Sequence, residues 1–224
     1  MLLLCDFDGT VVDPDAAFRD WVTVLAERHG QDVSFIDWLL EKDRLGARRR
    51  WELYPLLRER LGLSESAEEF AETFMHDYAS QFRCLEGVFA ALADVRREGH
   101  RIAIVTNGSP WQALKGRAAG LSEIVDSFCI SSIEGVWKPD AKLLQIAAER
   151  AGCPLDGAWM IGDRSADVEA AAAAGIRSIK LPCADDRESE CVPTEMANSF
   201  PEAVAIALDT WRIDGPRSVP QTPR

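Results

Sequence analysis

Four apolar residues, Leu2–Cys5, run straight into the polar stretch Asp6-Phe7-Asp8-Gly9-Thr10. The run is too short for a helix and predicts a buried strand with a loop at its carboxyl end. Arg101-Ile102-Ala103-Ile104-Val105 repeats the pattern, closed by Thr106-Asn107-Gly108. Phe128–Ser131, Ala158–Ile161 (running into Gly162-Asp163) and Ile176–Leu181 repeat it again. Helical periodicity fills the gaps. Val88, Ala91, Leu92 and Val95 form one stripe, ended by Gly99. Ser109-Pro110 predicts a helix opening with Ser as its cap and closing near Gly120. Asp140 to Ala151, an Ala-rich helix capped by Ser165 and stopped at Gly175, and Pro201 to Trp211 follow.

Between the first and second strand patterns the chain reads only as helix. Pro14-Asp15 opens a helix bearing Phe18, Trp21, Val22 and Leu25, which Gly30 stops. Ser34 to Leu45 and Arg48 to Leu61 predict two more, with Pro55 kinking or splitting the latter. Ser66-Ala67-Glu68-Glu69 is a capping box for a fourth, along which Phe70, Phe74 and Tyr78 recur. The expected architecture is therefore α/β: a three-layer, Rossmann-like parallel sheet core over residues 1–14 and 83–211. A helical cap is inserted over 15–82, and a Pro-rich tail, 212–224, is expected to be poorly ordered.

The chain has 224 residues and a formal charge of −12. So acidic a surface repels phosphate backbones, which argues against nucleic acid as a partner. Its six cysteines have no C-x-x-C spacing and read as the reduced thiols of a cytoplasmic protein. The first residues lack a basic segment before the apolar run, unlike a secretory signal, and no apolar stretch is long enough to span a membrane.

The polar residues that matter sit where strands end. In a parallel sheet those ends share one edge, so Asp6, Asp8, Thr106, Asn107, Lys138, Asp163 and Asp167 converge there from distant parts of the chain. Asp6 and Asp8 alternate along an extended segment and reach the same way. Crowded carboxylates repel unless a cation lies among them or one holds a proton, and for a cation an all-oxygen donor set suits Mg2+. Carboxylates, Mg2+ and one Lys describe phosphoryl transfer.

In these motifs the sequence resembles the haloacid dehalogenase superfamily over about residues 2–181. Asp6-Phe7-Asp8-Gly9-Thr10 matches its first motif and Thr106 its second. Lys138-Pro139-Asp140 matches the third, and Gly162-Asp163-Arg164-Ser165-Ala166-Asp167 the fourth. The helical insert resembles the family's C1-type cap, which closes over the site. The resemblance implies that Asp6 is the nucleophile forming an aspartyl-phosphate and that Asp8 is the general acid and base. It implies that Thr106, Lys138 and N–H groups near Asn107 hold the phosphoryl oxygens. Mg2+ would be held by the Asp6 carboxylate, the Asp8 main-chain carbonyl and Asp163, with Asp167 an outer ligand or an orienter of Lys138. The resemblance implies that dehalogenases, P-type ATPases and phosphonatases of the family lack an acid where Asp8 stands, so Asp8 favours phosphatases and phosphomutases alike, and the breadth of the family favours a phosphatase of a small phosphorylated metabolite. The alternatives are a phosphomutase and, from another class, a catalytically idle paralogue that binds a metabolite or protein; the latter should have lost a motif residue, and none is missing.

Other conspicuous residues have plainer readings. Arg44, Arg48, Arg49 and Arg50 read as a solvated helix face rather than a substrate grip. Trp21, Trp38 and Trp51 fit cap packing as well as a pocket wall. His29, His76 and His100 have no partner pattern. Lys42 reads as a surface residue, and Arg164 as either a substrate contact or a partner for acids at the rim.

Overall fold

The computed structural model describes residues 1–43, 50–184, 186–187 and 189–214, with Arg50 and Trp51 as backbone only. Two compact units emerge: one of Met1–Val11, Cys84–Pro110 and Ser122–Arg224, the other of Val12–Arg83 and Trp111–Leu121.

The first unit carries a six-stranded, all-parallel sheet in the order β3-β2-β1-β4-β5-β6. Its strands are β1 (Leu2–Cys5), β2 (Arg101–Thr106), β3 (Ser127–Ile130), β4 (Trp159–Gly162), β5 (Arg177–Lys180) and β6 (Glu195–Met196). Its helices are α5 (Val88–Arg97), the short α7 (Ser131–Glu134), α8 (Ala141–Ala151), α9 (Ser165–Ala173) and α10 (Phe200–Asp214). β1 is wholly buried at the sheet's centre, so it reads as an unbroken apolar run rather than an alternating one. Leu2, Leu4, Ala103, Val105 and Met160 pack with Leu143, Leu144 and Ala147 of α8 and with Ala170 and Ala171 of α9. The alanines let α9 approach the sheet closely. Helices α5 and α10 pair with each other and touch β2 and β4. Two helical layers around a sheet are the expected three-layer α/β fold.

One carboxylate ties two of these strands together. Asp126, just ahead of β3, accepts from Arg96 Nη1 (2.8 and 2.7 Å), Arg101 Nη1 (2.6 Å) and the Ile102 main-chain N–H (2.8 Å). Burial works against its charge, but these donors outweigh it and hold the carboxyl below its usual range. Asp126→Asn should cost about 1.5–3 kcal/mol in urea unfolding at pH 7, as for a hydrogen-bonded charge. A depressed carboxyl stabilises the fold above its unfolded pKa, near 4, and that contribution fades as pH falls through the folded value. The gap between variant and wild type should therefore close below about pH 4.

The second unit is helical: α1 (Pro14–Arg28), α2 (Val33–Asp43), α3 (Tyr54–Leu61), α4 (Ala67–Ala79) and α6 (Gln112–Ala118). Asp13 caps α1 through the N–H groups of Asp15 and Ala16, and the Ser66–Glu69 capping box opens α4. Trp21 lies against Phe18 and Phe74 with only 2% of its surface exposed, so it is a packing residue of this unit. Pro55 does split its pattern: a 3-10 turn over Arg50–Leu53 precedes α3, and Pro55 sits in the first turn, where its missing N–H costs nothing.

Several expected details differ. The helix foreseen at Ser109 begins at Gln112, and residues 111–121 belong to the helical unit rather than to the sheet unit. Ser165 is the first residue of α9, with Arg164 at the cap position. The Ser165 hydroxyl is turned instead to Asp186, 2.6 Å away. The final helix runs from Phe200 to Asp214, and β6, two exposed residues, had no apolar run to announce it. Arg44, Arg48, Arg49, the Arg50 and Trp51 side chains, the end of the second predicted helix and the tail from 215 lie outside the described residues. No described helix is long and apolar enough to cross a membrane.

Candidate active site

Register explains why the motif residues meet. Cys5 pairs with Ile104 on one side and Ile161 on the other. Asp6 is therefore level with Val105 and Gly162, and its N–H bonds Ile161 O at 2.8 Å. Thr106 and Asp163 follow one residue later on the flanking strands. Because β1 lies between β2 and β4, three motifs reach one point on the carboxyl edge.

Lys138 arrives from the segment after β3 and α7. Its ammonium lies 2.7 Å from Asp6 Oδ1, 2.7 Å from Val105 O and 2.6 Å from Asp167 Oδ1. The first two are hydrogen bonds and the third is an ion pair. Asn107 fixes the Lys138 backbone from both sides: its Nδ2 donates to Lys138 O (2.8 Å) and its Oδ1 accepts from Lys138 N–H (2.9 Å). The Asn107 side chain, expected among the phosphate-binding groups, is thus a clasp for Lys138.

Asp167 enters from the first turn of α9. Its Oδ1 meets Lys138 and its Oδ2 accepts the Arg164 N–H at 3.0 Å. Asp163 ends β4. A long contact from the Thr10 hydroxyl (3.4 Å) reaches its Oδ1, and the half-exposed Arg164 guanidinium lies 3.4 Å from its Oδ2. The Cys183 thiol also donates to it. Neither Thr10 nor Cys183 stands out in the sequence as a partner of Asp163.

Asp6, Asp163 and Asp167 are all buried and present oxygens within 4.8 Å of one another; the Asp8 carboxylate stands outside that trio. Three buried carboxylates have one buried ammonium and one half-exposed guanidinium beside them, and the physics shows the imbalance. Burial, then the Asp167 charge, push the Asp6 carboxyl up to about 7 even though Lys138 opposes them. Burial and Asp6 raise Asp163. Burial raises Asp167 as well, again against Lys138. Lys138 is held protonated, because Asp167 and Asp6 outweigh its own burial. Buried oxygens with an unneutralised negative charge fit a hard divalent cation.

Two glycines make room for the trio. A Cβ on Gly9 (φ +79°) would lie 2.6 Å from Asp163 Oδ2, and one on Gly162 would lie 2.2 Å from Asp167 Oδ2 and 2.3 Å from its Cγ. Gly162→Ala should force Asp167 off Lys138 and destabilise the fold by about 1–3 kcal/mol, as overpacking does. Urea unfolding of the variant checks this, and a wild-type midpoint would rule it out.

The remaining candidates have capping or packing positions within their own units. His29 sits at the C-cap of α1. His76 meets Trp111 edge-on within the helical unit, and the His100 ring packs against Trp211. Trp38 lies beside Phe35 and under Arg60.

A phosphoserine phosphatase of Thermus thermophilus is 35% identical over 125 residues, 55% of this chain and 50% of that protein. A glyceraldehyde 3-phosphate phosphatase of Pyrococcus furiosus is 27% identical over 175 residues, 76% of this chain and 66% of that protein. The chain thus spans half to two thirds of the length of these relatives. A crystal structure of a HAD phosphatase from Thermococcus onnurineus superposes with a TM-score of 0.59 at 21% identity, covering 97% of this chain and 99% of that one, which shows a shared fold. The family described as haloacid dehalogenase-like hydrolase matches residues 1–175, all four motifs included, and the chain belongs to that family.

Proposed function

We propose that this chain is a Mg2+-dependent phosphatase of a small phosphorylated metabolite, acting through an aspartyl-phosphate on Asp6. The observation that carries the reading is the buried trio Asp6, Asp163 and Asp167, with Lys138 bonded to both Asp6 and Asp167. The Asp6 and Asp163 carboxylates and the Asp8 carbonyl would hold Mg2+, with Asp167 outside them orienting Lys138. Bound there, the ion supplies positive charge against that of the carboxylates and of a phosphoryl group.

The chain's own groups divide the chemistry. An Asp6 carboxylate oxygen attacks phosphorus, forming an acyl-phosphate bond as the ester P–O bond breaks. Asp8 gives its proton to the departing oxygen. A water then attacks phosphorus, Asp8 takes the water's proton, and inorganic phosphate leaves with Asp6 restored. Lys138 bonds Asp6 and Val105 O and pairs with Asp167, so it orients Asp6 and supplies positive charge to the phosphoryl oxygens. Thr106 and the main-chain N–H groups beside Asn107 donate to the phosphoryl oxygens. The helical unit is read as the substrate-selecting cap. Six free cysteines fit a reducing compartment such as the cytoplasm.

Phosphate release from a panel of sugar phosphates, phosphoglycolate, phosphoserine, glyceraldehyde 3-phosphate and nucleoside monophosphates tests this. Release is expected with Mg2+ and not with EDTA. Release that persists in EDTA, or none from any member with Mg2+, counts against the reading.

A further inference from the structure

The Asp163–Arg164 peptide lies in the chain between two members of the acidic trio, Asp163 and Asp167, and it is held on both sides. Its N–H goes to Asp167 Oδ2 at 3.0 Å. Its carbonyl accepts from Lys180 Nζ at 2.8 Å. Lys180 ends β5, where it pairs with Gly162, and Leu181 N–H bonds Gly162 O at 2.9 Å, so its backbone is fixed. Its ammonium is balanced by Asp186 at 3.0 Å. The same Asp186 oxygen accepts from the Ser165 N–H at 2.8 Å and faces the Ser165 hydroxyl at 2.6 Å, at the first residue of α9. Lys180 and Asp186 are mostly buried, with 19% and 10% of their side chains exposed.

The geometry points to Lys180 as a positioning residue for the metal site: it locks the Asp163–Arg164 peptide so that the Asp163 and Asp167 carboxylates keep one spacing. This rests on the reading of Asp163 as a metal ligand. A peptide free to rotate about its flanking bonds would carry the Asp163 side chain with it and release the N–H that holds Asp167. Asp186 secures the ammonium and the start of α9 together, so strand and helix move as one piece. Residues behind the ligands commonly tune metal affinity by about 10–100-fold.

Electrostatics alone predicts the opposite sign, which makes the test decisive. Lys180 is a cation beside a cation site, so removing only its charge would tighten metal binding. Removing a positioning contact weakens it.

Mg2+ binding to the full chain would be measured by calorimetry without substrate, at a temperature where circular dichroism shows every variant folded. Lys180→Met should bind Mg2+ about tenfold more weakly, the low end for such contacts. Lys180→Arg, which keeps a charged donor for the carbonyl, should recover part of the loss. Glu169→Ala removes the acceptor of the bonds from Arg187 and Ser189 that tether the same loop to α9 and should bind as wild type. Asp163→Asn should not bind. Wild-type or tighter binding by Lys180→Met overturns the positioning role while leaving the ligand reading intact. Equal binding by Asp163→Asn and wild type overturns the ligand reading, and the inference with it. If Lys180→Met does not fold, Lys180→Gln carries the same test.

Discussion

Asp6→Asn should lower phosphate release by at least about four orders of magnitude, the scale on which an enzyme loses its nucleophile, and should do so without unfolding the chain. The amide keeps the carboxylate's shape and still offers Lys138 an oxygen. It cannot form the acyl-phosphate bond. Stability should move the other way. The Asp6 carboxyl is pushed up to about 7 by burial and Asp167, so its charge opposes folding wherever it is ionised. A carboxyl raised in the folded state penalises folding above its folded pKa, and the penalty disappears as pH falls toward the unfolded value near 4. In EDTA, Asp6→Asn should therefore unfold at higher urea than wild type at pH 8, with the two converging by about pH 4. Turnover within tenfold of wild type would remove Asp6 from the nucleophile's place. A variant less stable at pH 8 would show that Lys138 gains more from the Asp6 charge than burial costs.

Much of this arrangement is written in short apolar runs. Leu2–Cys5 and Ala158–Ile161 are central strands buried on both faces, and such strands are continuous in hydrophobicity and easy to see. Their ends carried the motif residues to one edge because parallel strands share a direction. What stayed hidden depends on contacts across the sheet. Nothing near Asn107 says that its amide clasps Lys138, since the partners are 31 positions apart and meet only after β2 and β3 align. Lys180 reads as the polar end of an edge-side strand, and Asp186 as loop. Their joint hold on Asp163 and Ser165 exists only once β4 and β5 are in register.

The helix starts failed for a local reason. Ser109-Pro110 has the composition of a helix entry, yet Gly108 N–H bonds the Ser131 hydroxyl and Gly108 O accepts from Ser132 N–H. Those bonds keep the chain non-helical just past Asn107, and the helix is delayed to Gln112. At Ser165 a good capping residue is redirected to Asp186, while Asp167 from the third position of α9 satisfies the Arg164 N–H instead. In both places a requirement of the site overrides a signal that is sound elsewhere, as at the Ser66 capping box.

Lys138→Met should cost about 3–5 kcal/mol, as removal of one member of a buried ion pair does. It should abolish turnover as well, because Asp6 loses the group that orients it. The Lys138 side chain is 2% exposed, with Asp167 at 1% and Asp6 at 9%, so water cannot replace the lost ammonium. The two carboxyls then stay charged without a counter-ion or take up protons, and either route draws on folding free energy. The chemistry makes the cause testable by a second change. Lys138→Met with Asp167→Asn leaves one stranded charge instead of two, so the double variant should be more stable than Lys138→Met alone. Acid should act in the same direction. Protonation of Asp6 and Asp167, both already raised by burial, removes the stranded charge, so the deficit should be smaller at pH 5 than at pH 8. Urea unfolding in EDTA at both pH values decides it. A deficit independent of pH, and undiminished by Asp167→Asn, would mean that Lys138 serves as packing rather than as the counter-charge around which the acidic trio is built.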